Sequence, residues 1–199
     1  MTTDPENTFI FRGNTFAYFH HEYNITWATE RAVEIPIVMR IVNQYKGKRI
    51  LEVGNVISHY YPVEHNIVDK YEKAPGVINE DIVDYKPSKK YDLIVSISTL
   101  EHVGWDEEPK EPKKPLAAIE NLKNCLAPTG KIVVTLPMGH NPHLDRLLNG
   151  KKLQFTRQYF LKRISADNKW VQAKWEDVQN AEYNYPFPFA NGVVIGIIE

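Results

Sequence analysis

Carboxylates and a lone glycine recur in this sequence at one kind of place, the polar ends of short apolar runs. Glu52-Val53-Gly54-Asn55 closes the run RILEVG, Asp69 closes the next, Asn79-Glu80-Asp81-Ile82 closes a third, and Ser96-Ile97-Ser98 closes YDLIVSIS. A glycine in such a position lets a ligand approach the backbone with no side chain in the way. A carboxylate at the second run's end can accept hydrogen bonds from two ribose hydroxyls. At the third, Asp81 can accept from an adenine amino group while Ile82 packs on the ring. The chemistry these residues would serve is recognition of a nucleoside. Ser96 and Ser98 would complete the pocket wall, and are equally well read as a polar strand terminus.

The elements that must hold these residues follow from hydrophobic patterning. Five apolar segments, 49–54, 66–69, 76–82, 91–98 and 131–137, alternate with helical or irregular stretches, which is the rhythm of a parallel sheet. The first, fourth and fifth are nearly continuous runs of Ile, Leu and Val, as in strands covered on both faces. A helix is predicted over 29–44, where Val33, Ile37, Ile41 and Val42 fall near helical spacing, with Thr29 as N-cap and Pro36 as a kink. A second spans 114–126, ended by Ala127-Pro128-Thr129-Gly130. Segments 141–149 and 156–164 read as short helices, and 170–176 and 193–198 as two final strands. In a sheet of this kind a ligand sits at the carboxyl ends of the strands, beside the point where strand order reverses.

Composition excludes several classes of function. The chain has 199 residues, 43% hydrophobic and 25% charged, with Lys and Arg (24) balancing Asp and Glu (25). It is too apolar for a disordered chain, and its charge balance marks no ligand for nucleic acid or anionic membranes. Cys125, the one cysteine, sits in a helical pattern with Ala118, Leu122 and Leu126, so it reads as a small buried residue and a disulfide framework is excluded. No apolar run is long enough to span a bilayer, and MTTDPENTF lacks a basic region followed by an apolar stretch, so a cytoplasmic location is expected.

The segments ILEVGN, NIVDKYE, NEDIVDY, KYDLIVSISTLEHVGW and LAPTGKIVVTLPM, in this order and spacing, resemble the class I S-adenosylmethionine-dependent methyltransferases, in particular their small-molecule branch. The resemblance covers roughly residues 48–138, the first two-thirds or so of a Rossmann-sized domain. It implies an α/β fold, a Rossmann-like doubly wound sheet of about seven strands, mostly parallel with an antiparallel C-terminal strand. It implies a core over 48–199, preceded by a lid and first helix over 1–47, all one compact domain. It implies S-adenosylmethionine as cofactor, with Glu52, Gly54 and Asn55 flanking the methionine moiety, Asp69 on the ribose, and Asp81 with Ile82 at the adenine. The first motif departs from the family pattern: where two or three glycines are usual, this chain has Gly54-Asn55-Val56-Ile57-Ser58. Either Asn55 adopts the unusual backbone or the loop takes another path.

The same resemblance sets Glu101-His102 near the transferred methyl group. His102 can act as general base or hold its loop, because imidazole titrates near neutrality and because methyl transfer can also proceed by proximity alone. A metal site built on Glu101, His102 and His140 lacks its first carboxylate, with Ser98 in that place, so no metal is expected. His140 and His143 face the same rim by topology, His140 as a substrate contact and His143 as part of a helix N-cap region. The aromatic stretch around Tyr18, His20, His21, Tyr23 and Trp27 reads as a lid. From it Tyr23 or Arg31 would meet the methionine carboxylate, unless Arg31 pairs with Glu30 or Glu34 on a helix. The expected reaction is methyl transfer to oxygen or nitrogen of a small polar acceptor, with a sugar or glycan intermediate suggested by the rim of His102, Trp105, His140, Tyr183 and Tyr185. A non-catalytic cofactor-binding domain and an NAD-dependent oxidoreductase are the alternatives; the latter lacks G-x-G-x-x-G. Nucleic acid and membrane partners are not expected, and a homodimer is compatible with the sequence.

Overall fold

In the computed structural model, which describes residues 7–199, the chain starts with a hairpin that the sequence reading does not contain. Strands β1 (Thr8–Phe11) and β2 (Asn14–Ala17) pair antiparallel across Arg12 and Gly13. Both turn residues have positive φ, 51° and 71°, as a two-residue hairpin turn requires. Phe9 and Phe11 are buried while Ile10 is exposed, the period-two signature of a strand. Residues 1–6 of the segment expected to form a lid lie outside the described residues.

Helix α1 (Arg31–Gln44) follows. Thr29 does not cap it, since its hydroxyl makes no hydrogen bond among the described residues and the preceding turns run straight into the helix. Pro36 lies inside α1. Lacking an N–H, it leaves the carbonyl of Ala32 free, and that carbonyl accepts the backbone N–H of Phe19 at 2.9 Å. The proline thus provides the point where the segment before the helix docks.

Strands β3 (Ile50–Val53), β4 (Asn66–Val68), β5 (Val77–Ile78) and β6 (Tyr91–Ile97), helix α2 (Lys114–Cys125), strand β7 (Leu126–Pro137), helix α3 (Pro142–Asn149), strands β8 (Arg157–Arg163) and β9 (Trp170–Ala173), helix α4 (Trp175–Val178) and strand β10 (Gly192–Ile198) complete the chain. The sheet runs β5-β4-β3-β6-β7-β10-β8-β9. Pairs from β5 through β7 are parallel, and β10 is antiparallel to both β7 and β8. This is the Rossmann-like, doubly wound α/β arrangement expected, with an antiparallel C-terminal strand and one strand more than the seven anticipated. Two cores flank it. Leu51, Ile94, Ile132 and Val134 pack with Ile119 and Leu122 of α2 and Leu144 and Leu148 of α3. Ile50, Leu93, Val95 and Val133 pack with Val33, Ile37 and Val38 of α1 and with the hairpin phenylalanines.

Three expectations are corrected. Residues 156–164 form strand β8, because Phe160 packs on one core and Leu161 on the other, which neighbouring residues achieve only when side chains alternate. The third run shrinks to the two residues of β5, since Asp81 turns the chain by accepting from Val83 N–H through its side chain and from Asp84 N–H through its carbonyl. Segment 170–176 divides into β9 and the short α4. Among the described residues, no helix is long and apolar enough to cross a membrane.

Candidate functional site

A cavity of about 450 Å³ opens at the carboxyl ends of β3, β4, β5 and β6, walled by residues 53–56, 68–72, 80–82, 99, 102, 103, 106 and 107. It lies beside the switch in strand order between β3 and β6, where an open α/β sheet binds ligands, and its size is that of a small-molecule site.

The loop after β3 turns on one glycine. Gly54 has φ +83°, and a Cβ there would stand 2.2 Å from Thr99 Oγ1, so the loops after β3 and β6 meet at a point only glycine permits. Asn55 does not share the positive φ. Of the two paths open to the loop, it takes the other: the chain enters a single 3-10 turn over Ile57–His59, with no long helix before β4. Glu52, expected beside the methionine, is buried and does not line the cavity. Its Oε1 accepts the N–H groups of Val56 and Ile57 at 2.9 and 2.6 Å, and its Oε2 lies 2.7 Å from His65 Nε2. Glu52 therefore shapes the loop from beneath.

Asp69 lines the cavity, with its carboxylate bonded to backbone. Oδ1 accepts from Tyr71 and Glu72 N–H, each at 2.8 Å, and Oδ2 from Asn55 N–H at 3.2 Å. Asn55 in turn donates from Nδ2 to Glu72 Oε1 at 2.6 Å. The ends of β3 and β4 are thus tied into one wall. Opposite, Asp81 Oδ2 is held by Lys70 at 2.9 Å and Lys114 at 2.8 Å, while Glu107 contacts the same two lysines. Burial opposes ionisation of Asp81 and Glu107, but the lysine hydrogen bonds outweigh it and hold both carboxyls below their ordinary values. The loop 104–111 is clipped across the cavity in this way. Asp81 is correspondingly committed to cations, whereas Ile82 is a buried wall of the cavity.

Ser96 and Ser98 do not line the cavity; Thr99 does. Ser96 is buried with no side-chain hydrogen bond among the described residues. Ser98, at φ +39°, donates to Glu34 Oε1 at 2.6 Å. Arg31 likewise does not reach the cavity: its guanidinium is buried on Glu34 Oε2 at 2.8 Å and on the Ser98 carbonyl at 3.4 Å. The Arg31 to Glu34 pairing that the sequence left open is the one observed. Tyr23 is exposed and stacks on His59 with ring centres 4.2 Å apart, setting the segment before α1 against the loop after β3.

His102 does line the cavity. Its Nδ1 is 2.6 Å from Asp106 Oδ2 and its Nε2 is 3.7 Å from Glu101 Oε1. Its ring meets His140 edge-on at 4.6 Å, and His140 meets Tyr183 at 5.0 Å. Burial, then His102, push His140 down from its ordinary pKa, which favours its neutral form. Asn141 anchors this group: its Oδ1 caps α3 by accepting from His143 and Leu144 N–H, and its Nδ2 donates to the Glu101 carbonyl at 2.7 Å. His143 belongs to that cap region. Asn141→Ala is expected to destabilise the fold by roughly 1–3 kcal/mol in urea unfolding, through the lost cap and an unpaired buried carbonyl; an unchanged midpoint would show that the anchor carries no weight. Among the described residues, no cluster of His, Cys, Asp and Glu is arranged to hold a metal ion.

Glu72, Thr99, Lys70, Glu107 and Asn141 were not singled out by sequence. Glu72 and Lys70 flank Asp69 at a strand end, which was a usable signal; Glu107 and Lys114 lie in a stretch whose charges look solvated.

No protein-family model matches the chain, and no curated protein matches it. Among solved structures, it is similar in fold to an S-adenosylmethionine-dependent methyltransferase from Clostridium acetobutylicum ATCC 824, at 11% identity over 81% of this chain and 88% of that one, with TM-score 0.42. It is similar also to the N-methyltransferase NodS from Bradyrhizobium japonicum WM9 in complex with S-adenosyl-L-homocysteine (13% identity, 80% and 83% covered, TM-score 0.44). A third is the sugar N-methyltransferase KedS8 from Streptoalloteichus sp ATCC 53650 (13%, 96% and 99%, TM-score 0.44).

Proposed function

We propose that this chain binds S-adenosylmethionine in the cavity and transfers its methyl group to oxygen or nitrogen of a small polar acceptor. The observation that carries the reading is the cavity itself, at the strand ends beside the switch point, lined by Asp69, Glu72, Glu80, Asp81, Asp106 and Glu107 against the cation Lys70. Such a lining suits a nucleoside bearing a sulfonium cation. It does not suit a dinucleotide, because a pyrophosphate needs a helix N-terminus after β3 and the chain there makes only a three-residue turn.

S-adenosylmethionine supplies an electrophilic methyl carbon on a positively charged sulfur. Around it, the chain's residues have separate tasks. Gly54 admits the ligand against the backbone, Asn55 and Glu72 present polar groups from the loops after β3 and β4, Asp69 keeps those loops in register, and Ile82 offers an apolar wall to a base. Phe19 packs on Tyr60 and Tyr61 and Tyr23 stacks on His59, so the segment before α1 covers the loop after β3. His102, with Nδ1–H given to Asp106, keeps the Nε2 lone pair for the acceptor's proton.

Calorimetry with S-adenosylhomocysteine and NAD tests the cofactor. The first is expected to bind and raise the melting temperature and the second to do neither; the opposite pattern would remove the methyl-transfer reading. Asp69→Ala is expected to weaken S-adenosylhomocysteine binding by roughly 1–3 kcal/mol, because three backbone N–H groups lose their shared acceptor. Unchanged affinity would take Asp69 out of the site.

A further inference from the structure

We propose, resting on the methyl-transfer reading, that the acceptor atom is the nitrogen of a primary or secondary amine, selected by carboxyl groups gathered around His102. Acidic side chains are in excess behind His102. Glu30, Glu34 and Glu101 are buried to 7%, 0% and 1% exposure, with Arg31 as the buried guanidinium among them. Arg31 is committed to Glu34. Glu101 Oε2 makes no hydrogen bond among the described residues, a costly arrangement unless something arrives to share it. Glu101 Oε1 is 3.7 Å from His102 Nε2, and Asp106 is on the other side of the imidazole at 2.6 Å. The imidazole is therefore held between two carboxyl groups, and an N–H group that reaches Nε2 from the cavity stands beside Glu101, whose burial pushes its carboxyl well above the ordinary carboxylate range until a cation is brought to it. The ring of His140 packs edge-on against His102, and that of Tyr183 against His140.

The charge changes along the two candidate reactions separate them. A phenol or alcohol must yield a proton and carry negative charge toward the methyl carbon, beside Glu101 and Asp106. The protein's own phenol records the penalty: burial, then the carboxyls of Glu30, Glu101 and Glu34, push Tyr183 well above its ordinary pKa. An ammonium behaves oppositely. It gives one proton to His102 Nε2, and the freed nitrogen lone pair forms the new N–C bond as the C–S bond breaks, its electron pair staying on sulfur. The products are a methylammonium, a neutral thioether and a protonated His102, which returns its proton to solvent at its exposed edge. Positive charge leaves sulfur and appears on nitrogen, where the carboxyls stabilise it.

The test uses the full chain saturated with S-adenosylhomocysteine, titrated calorimetrically with benzylamine, benzyl alcohol and phenol, and with glucosamine and glucose. Each amine is expected to bind at least about tenfold more tightly than its hydroxyl counterpart, a charge-assisted contact against a neutral one. Glu101→Gln is expected to erase that preference while leaving S-adenosylhomocysteine affinity within about twofold, which also shows the variant is folded. Equal or tighter binding of phenol or the alcohols, absence of amine binding, or an amine preference unaltered in Glu101→Gln would overturn the proposal. Failure of S-adenosylhomocysteine to bind wild type would overturn the methyl-transfer reading itself, whereas binding without amine preference overturns the acceptor class alone.

Discussion

Gly54→Ala will loosen S-adenosylhomocysteine binding by roughly 100-fold or more, the scale expected when a positioning element shifts by about 1 Å. Two costs combine. An alanine at φ +83° is in the left-handed region, which costs roughly 1–2 kcal/mol. The larger cost is steric: the new Cβ would meet Thr99 at 2.2 Å from Oγ1, 2.7 Å from Cγ2 and 2.9 Å from Cβ. Rotating Thr99 removes the first two contacts and leaves the third. The strand end carrying Thr99 cannot simply retreat, because Ser98 is fixed by Glu34 through its side chain and by Thr135 through its N–H. Either the loop after β3 or the turn after β6 must move, and both wall the cavity. Thr99→Gly in the Gly54→Ala background should recover part of the affinity by opening that contact. Wild-type affinity in Gly54→Ala would show that the cavity is not where the cofactor binds.

The same glycine shows what was legible in the sequence. Strand ends are visible as apolar runs giving way to polar residues, so the sequence alone places Gly54, Asp69, Asp81 and His102 at the rim, and all four line the cavity. What each side chain does there was less visible, because it depends on partners brought in by the loops. Glu52 serves the backbone of Val56 and Ile57 and meets His65, and nothing in EVGN distinguishes that from contact with a ligand. Asp81 looked free until the loop carrying Glu107 and the start of α2 carrying Lys114 closed over it. Arg31 had two readings, and burial beside Glu34 decided between them. The helical reading of 156–164 failed because short segments with adjacent apolar residues suit either period, and packing on both faces of the sheet selects the strand. Where the family it resembles usually has two or three glycines, this chain has one at positive φ, followed by a turn whose Val56 and Ile57 N–H groups donate to Glu52.

His102→Ala should slow methyl transfer by roughly 10²-fold to 10⁴-fold while leaving cofactor-product affinity almost unchanged, since proton removal matters only in the transition state. The structure adds a second variant that separates this role from a structural one. Asp106 is half exposed and contacts His102 Nδ1 at 2.6 Å, so its contribution is to hold the imidazole in the tautomer that leaves Nε2 bare. Asp106→Asn keeps the size of the side chain and can still accept from Nδ1–H, but it can also present an amide donor that stabilises the opposite tautomer. Its expected effect is a fall in kcat smaller than that of His102→Ala, with KM for the acceptor nearly constant. A residue that merely propped up the 101–107 turn would instead change KM and melting temperature together. The turn has independent support from the Asn141 anchor and from the lysine clip on Glu107, so loss of one imidazole should not unfold it. Rapid-quench measurement of single-turnover methyl transfer, using the best amine from the calorimetric titrations, reads the chemical step directly. A rate within about threefold of wild type in His102→Ala would assign transfer to proximity alone and leave His102 as part of the wall.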